Sequence, residues 1–231
     1  FEETDAEFMW LSGITICDGM AADFAECKEH IVPAHPFSDD IISVSRKLAE
    51  RFCCDTEHIH QVEIAALKLF DALRKANHLT KKDRLLLQIA AILHNCGSFL
   101  NLNDIGENSY KIVTSTEIIG LSHQERMIVA YVIRYTTGDF PEYSEIKNEF
   151  SREEYIKIAK LNAILCLADA MDRSHQQKFT NFTVRKRGYD LTITGQTLYD
   201  ITLEHGMFIQ KSPFFEEAFG IRPVLRQKKC L

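Results

Sequence analysis

Between residues 38 and 173 apolar side chains return every three or four positions, a period that admits helices and little else. After Ser38, the run DDIISVSRKLAERF places Ile41, Ile42, Val44, Leu48 and Phe52 at helical spacing. A second helix opens at Thr56, where EHIHQVEIAALKLFDALRKAN sets Ile59, Val62, Ala66, Leu69 and Leu73 on one stripe. Further helices begin at capping boxes, in which a Ser or Thr oxygen accepts from a free backbone amide and an acid three residues on reaches back to the cap. These boxes are Thr80 with Asp83, Ser122 with Glu125, and Ser151 with Glu154. The body of the chain is therefore expected to be a helical bundle, and the fold mostly α.

Both ends depart from this period. FMWLSGITICDG, from Phe8 to Gly19, suggests a strand and a glycine turn, and MAADFAEC has short helical character. HIVPAHPFSDD then supplies two prolines among polar residues, a linker that sets a boundary near residue 35. Beyond Ser174 the period becomes two: FTNFTVRKRG and YDLTITG alternate around a Lys-Arg-Gly turn, which predicts a hairpin. A third strand is expected to include Ile201 and Leu203, followed by a short helix in SPFFEEAFG that ends at Gly220. RQKK reads as a small basic tail, and the C-terminal part as a small α+β element.

A net charge of −6 argues against a general nucleic-acid binder, because phosphate backbones are held by clustered Lys and Arg. No apolar run is long enough to span a membrane, and no signal segment opens the sequence. The cysteine count is odd, at 7, without a C-x-x-C pair, and Cys96 and Cys166 lie in apolar helical runs. That usage fits reduced thiols in a cytoplasmic protein. Because the sequence opens at Phe1 in what reads as the middle of a fold, a fragment is expected, with further domains upstream.

Three separated elements each offer a metal-ligating side chain. His60 shares a helical face with Ile64 and Leu67, His94 with Leu87, Ala90 and Ala91, and Asp169 with Leu165 and Cys166. A carboxylate on a buried face is costly unless it is paired, hydrogen-bonded or metal-bound. An ordinary partner stands nearby, since Arg173 is at i+4 from Asp169. Each histidine taken singly is more often a hydrogen-bonded core or surface residue than a ligand. Cys96 reads as packing, since no base pattern accompanies it.

The order of these elements resembles the HD phosphohydrolase superfamily, in which a His, a His-Asp pair and a distal Asp hold a divalent metal that activates water against phosphorus. A closer resemblance covers about residues 8 to 225. LLLQIAAILHNCGSFLN, IVAYVIRYTTG, LADAMDRSHQQK and FFEEAFG are similar to the C-terminal region of exopolyphosphatase/guanosine pentaphosphate phosphatase proteins, which carry an HD-like helical domain. LSGITICDGM is similar to the end of their preceding actin-like phosphatase domain. The resemblance implies a remnant of that domain plus linker over residues 1–35, an HD-like bundle over 36–175 and the α+β subdomain over 176–231.

It further implies that His60, His94 and Asp169 stand at three of the four metal positions, with Asn95 in place of the usual Asp. An amide offers a neutral oxygen and no negative charge, so the resemblance implies a weakened or retired site, one that would hold Mg or Mn only weakly. Asn108 and Thr136 stand where histidines around the phosphate would be expected. In the resembled proteins cleavage belongs to the upstream actin-like domains, where a carboxylate activates water and glycine-rich loops hold phosphate, and this sequence has neither. What remains is binding of a long polyanion, polyphosphate or nucleotide, and formation of a homodimer. Arg134, Arg173, His175 and Lys178 are the expected phosphate ligands, while Arg185, Lys186 and Arg187 are more simply a solvated hairpin tip. The competing expectations are a metal-dependent HD phosphohydrolase acting on nucleotides through His60, His94 and Asp169, and a structural dimerisation module.

Overall fold

The computed structural model describes residues 16–27, 37–179 and 181–228. The chain divides into two units, Phe1–Phe37 and Ser38–Leu231. In the first, α1 spans Ile16–Cys27. It takes in MAADFAEC as expected and also the last residues of the expected strand, Ile16 to Gly19, while the earlier part of that strand lies outside the described residues. Asp18 falls in the first turn of α1, where a carboxylate meets the unpaired amides of a helix start.

The larger unit is the expected bundle. It comprises α2 (Phe37–Arg51), α3 (Thr56–Asn77), α4 (Lys81–Leu93), α5 (Ile105–Ser115), α6 (His123–Arg134), the one-turn α7 (Tyr143–Ile146) and α8 (Arg152–Ala170). Ser38 lies inside the first turn of α2 rather than before it. All three expected capping boxes form, at Thr80 and Asp83, Ser122 and Glu125, and Ser151 and Glu154. Val62, Ala66, Leu69 and Leu73 of α3 are buried as their stripe predicts, packed with Leu87 of α4, Val129 and Ile133 of α6, and Leu161 and Leu165 of α8. Asn162 is a buried polar link within this core, its Nδ2 donating to the Val132 carbonyl at 2.7 Å. Removal of one box by Ser151→Ala is expected to cost about 1 kcal/mol, read as a fall in melting temperature of roughly 2–4 °C.

The C-terminal part adds β1 (Asn181–Arg187), β2 (Asp190–Gln196), α9 (Thr202–Phe219) and β3 (Arg222–Lys228). β1 and β2 form the expected antiparallel hairpin, with Arg185 opposite Thr192, around a turn in which Gly188 takes a φ of 57°. The third strand is not at Ile201 and Leu203. Asp200 Oδ1 accepts from the Thr202 amide at 2.9 Å and starts α9 there, a helix that runs on to a left-handed cap at Gly220. The strand is instead Arg222–Lys228, which takes in most of the expected basic tail and pairs parallel to β2 at the sheet edge. Pro223 is tolerated there because an edge strand leaves one row of amides unpaired.

Candidate metal centre

The site is assembled by three helix ends. Asp55 caps α3, its carboxylate accepting from the His58 amide at 3.2 Å, and this first turn sets His58 on the same buried face as Val62, Ala65 and Leu69. His94 is the C-cap of α4. It leads into a short 3-10 turn, Cys96–Phe99, held by Ser109 of α5: the Ser109 hydroxyl donates to the His94 carbonyl at 2.9 Å and accepts from the Gly97 amide at 2.7 Å. α8 supplies Asp169 in its last turn, and Asp172 follows just beyond its end.

Hydrogen bonds fix how both imidazoles face. His58 Nδ1 lies 2.9 Å from Asp172 Oδ2, and His94 Nδ1 lies 2.7 Å from the Ala91 carbonyl oxygen. Carboxylate and carbonyl oxygens only accept, so both Nδ1 atoms carry the proton and both Nε2 atoms are left for something else. Those two Nε2 atoms are 3.2 Å apart, and Asp169 Oδ1 is 3.4 Å from that of His58 and 3.6 Å from that of His94. Among the described residues, these three side chains form the cluster able to hold a metal.

Two lone pairs facing each other beside a carboxylate require a cation between them. Metal bonds of about 2.0–2.2 Å at tetrahedral angles would separate ligand atoms by roughly 3.3–3.6 Å, close to the spacings of this triangle. The donor set therefore fits a divalent transition metal, and the bonds from Asp172 and Ala91 are those that orient metal-binding imidazoles. Two imidazoles with one carboxylate suit manganese or zinc better than magnesium, which prefers oxygen.

Without a metal, a proton serves. Burial disfavours charge on His58, yet hydrogen bonds to Asp169 and Asp172 outweigh it and raise its pKa from 6.5 to about 9. Burial pushes Asp169 upward, but His58 and His94 hold it well below the usual carboxylate range. Proton and metal compete for His58 Nε2, so affinity for a divalent ion is expected to rise as the pH climbs toward about 9.

The remaining sequence-derived residues divide. His60 is exposed on α3, two residues from the position that turns inward, and is not part of the cluster. Arg173 adjoins the site, its guanidinium 3.5 Å from Asp169 Oδ2. His175 stacks flat on His58, ring centroids 3.6 Å apart, and bonds Asp55 at 3.0 Å. Lys178 is committed elsewhere, to Glu204 at 3.1 Å and the Asp200 carbonyl at 2.8 Å. Arg134 is likewise engaged, bonding Glu107 at 2.7 Å and lying over the Tyr110 ring. Asn95 opens the 3-10 turn without a side-chain capping bond.

The structure brings two further residues to this cluster, His58 and Asp172, that the sequence-derived set does not contain. His58 had a signal: its i+4 and i+11 neighbours, Val62 and Leu69, belong to the stripe that reads as core, and its i+7 neighbour is Ala65. Asp172 had a fainter one, at i+3 from Asp169 and i+7 from Leu165, but its partners depend on the fold of the loop after α8, where the Gln177 amide donates to its Oδ1 at 2.7 Å. Asp172→Asn, which weakens the hold on His58 Nδ1, is expected to lower metal affinity about 10–100-fold in a competition titration with a chromophoric chelator.

Residues 42–211 match the family model described as Ppx/GppA phosphatase, domain III. The chain belongs to that family, in agreement with its resemblance to the C-terminal region of exopolyphosphatase/guanosine pentaphosphate phosphatase proteins. No curated protein matches it.

Proposed function

We propose that this domain holds a divalent transition-metal ion between His58, His94 and Asp169 and uses it, with Arg173, to grip a phosphate group. In this way it gives an exopolyphosphatase-type protein an anchor for its polyanion. The observation that carries this reading is the pair of Nε2 atoms, 3.2 Å apart, each turned toward Asp169 by a bond at its own Nδ1. A bound metal would supply positive charge and exchangeable positions. Asp169, through its two oxygens, joins that point to Arg173, whose exposed guanidinium can meet phosphate in bidentate fashion. Hydrolysis of the polyanion is assigned to actin-like domains such as those of the resembled proteins.

A longer track for the same polyanion lies on the outer face of the sheet. The register sets Arg185 and Arg187 of β1 and Arg226 and Lys228 of β3 on one side, interleaved with Thr183, Thr192 and Thr194. None of these four cations is in an ion pair among the described residues. Among the described residues the face has no stacked aromatic platform, so it suits a chain of repeated phosphates better than single-stranded nucleic acid, which is held largely by base stacking.

Titration of inorganic polyphosphate into manganese-loaded and metal-stripped protein tests the reading. Loading is expected to tighten binding at least about tenfold, in keeping with one added charge-assisted contact. Equal affinity in both forms would refute it. A second reading, hydrolysis of nucleotides by this domain itself, is favoured by a donor set of two histidines and one carboxylate, which leaves a coordination position for water. Release of phosphate from nucleotides by the manganese-loaded protein, lost in His58→Ala, would establish it.

A further inference from the structure

We infer that Cys54 and Cys96 form an oxidisable pair that closes to an intramolecular disulfide. Cys54 lies in the turn between α2 and α3, four residues before His58, and Cys96 begins the 3-10 turn two residues after His94. Their sulfurs are 3.4 Å apart across 42 residues of sequence, in direct contact. A disulfide needs about 2.05 Å, so closure asks for a movement of roughly 1.4 Å, within the reach of two short turns. The same two turns meet again at Phe52 and Phe99, whose rings pack edge to face with centroids 5.6 Å apart, so the segments are already docked. Cys166, the other buried thiol among the described residues, bonds instead to backbone carbonyls after α6.

Cys96 is fully enclosed, whereas Cys54 is 7 % exposed, next to an exposed Cys53 that holds a left-handed φ of 50°. Of the two thiols, Cys54 is therefore the one a small peroxide reaches first. Its thiolate attacks the peroxide oxygen to give a sulfenic acid and an alcohol or water. The Cys96 sulfur then displaces the hydroxyl as a second water, so two thiols and one peroxide yield a disulfide, ROH and water. The bond ties the start of the His58 helix to the turn that follows His94, and it requires no metal.

Treatment of the metal-free chain with hydrogen peroxide, followed by alkylation and non-reducing peptide mapping, tests the pair. A peptide containing Cys54 joined to one containing Cys96 is expected, with a loss of two hydrogens reversed by dithiothreitol. Cys53→Ser is expected to retain the link, and Cys54→Ser to lose it while folding normally, since the change is small. Oxidation confined to Cys53, or a link that persists in Cys54→Ser, would overturn the inference.

Discussion

His58→Ala is expected to lower divalent-metal affinity more than about 100-fold, because loss of a ligand exceeds the 10–100-fold typical of its outer partners. His60→Ala is expected to leave affinity unchanged. The contrast follows from the helix: the two positions lie on opposite sides of α3, with His58 buried against Asp169 and Asp172 and His60 in solvent. Measurement by competition with a chromophoric chelator reads both variants on one scale. Equal losses would remove His58 from the centre, as would a larger loss in His60→Ala.

Gly97→Ala is expected to destabilise the fold by roughly 3 kcal/mol or more, at the upper end of overpacking costs, and to lower the melting temperature by about 6–12 °C. A Cβ at this position would lie 2.2 Å from the Ile105 carbonyl oxygen and 2.5 Å from the Ser109 amide nitrogen, both backbone atoms at the start of α5. Neither can yield without moving that helix. The damage reaches the metal centre, because Ser109 bridges the Gly97 amide and the His94 carbonyl. Thermal melts, with metal titration of whatever folds, check both effects. A variant with wild-type stability would show that the 3-10 turn is held less tightly than its contacts imply.

The helices were legible because each carried local punctuation. Thr80, Ser122 and Ser151 announced their helices through pairings contained within four residues, and such signals survive any tertiary context. β3 was not legible: its alternation of Pro223 and Leu225 inward with Arg222 and Arg226 outward is short, and only pairing with β2 across the α9 crossover makes it a strand. At the candidate site, His94 and Asp169 were found from the faces they share with Leu87 and Leu165. His60 shares its face with Ile64 and Leu67, which reads as a core face in the sequence, yet both are only partly buried. The deeper stripe through Val62 and Leu69 carries its histidine one half-turn earlier. Asp172 is in register with Leu165 and Asp169, but its partners come from a loop in which His175 and Gln177 both adopt positive φ, at 55° and 46°.

On the proposed reading, Asn95 leaves the centre with three protein ligands, His58, His94 and Asp169. Loss of one carboxylate at the fourth position removes charge, but the cluster of His58, His94 and Asp169 keeps three ligand atoms within 4.8 Å of one another, and Asp172 adds a carboxylate behind His58. A site with three protein ligands is complete for a metal that keeps an open position.

The most direct measurement is the metal content of the protein purified without chelator and then equilibrated with manganese and zinc in turn. About one ion per chain, in keeping with a single three-ligand site, is the expected result, with the ion absent from His94→Ala under the same conditions. No bound ion in the folded wild-type protein, with either metal, would contradict the account and leave the facing imidazoles of His58 and His94 held together by a proton alone.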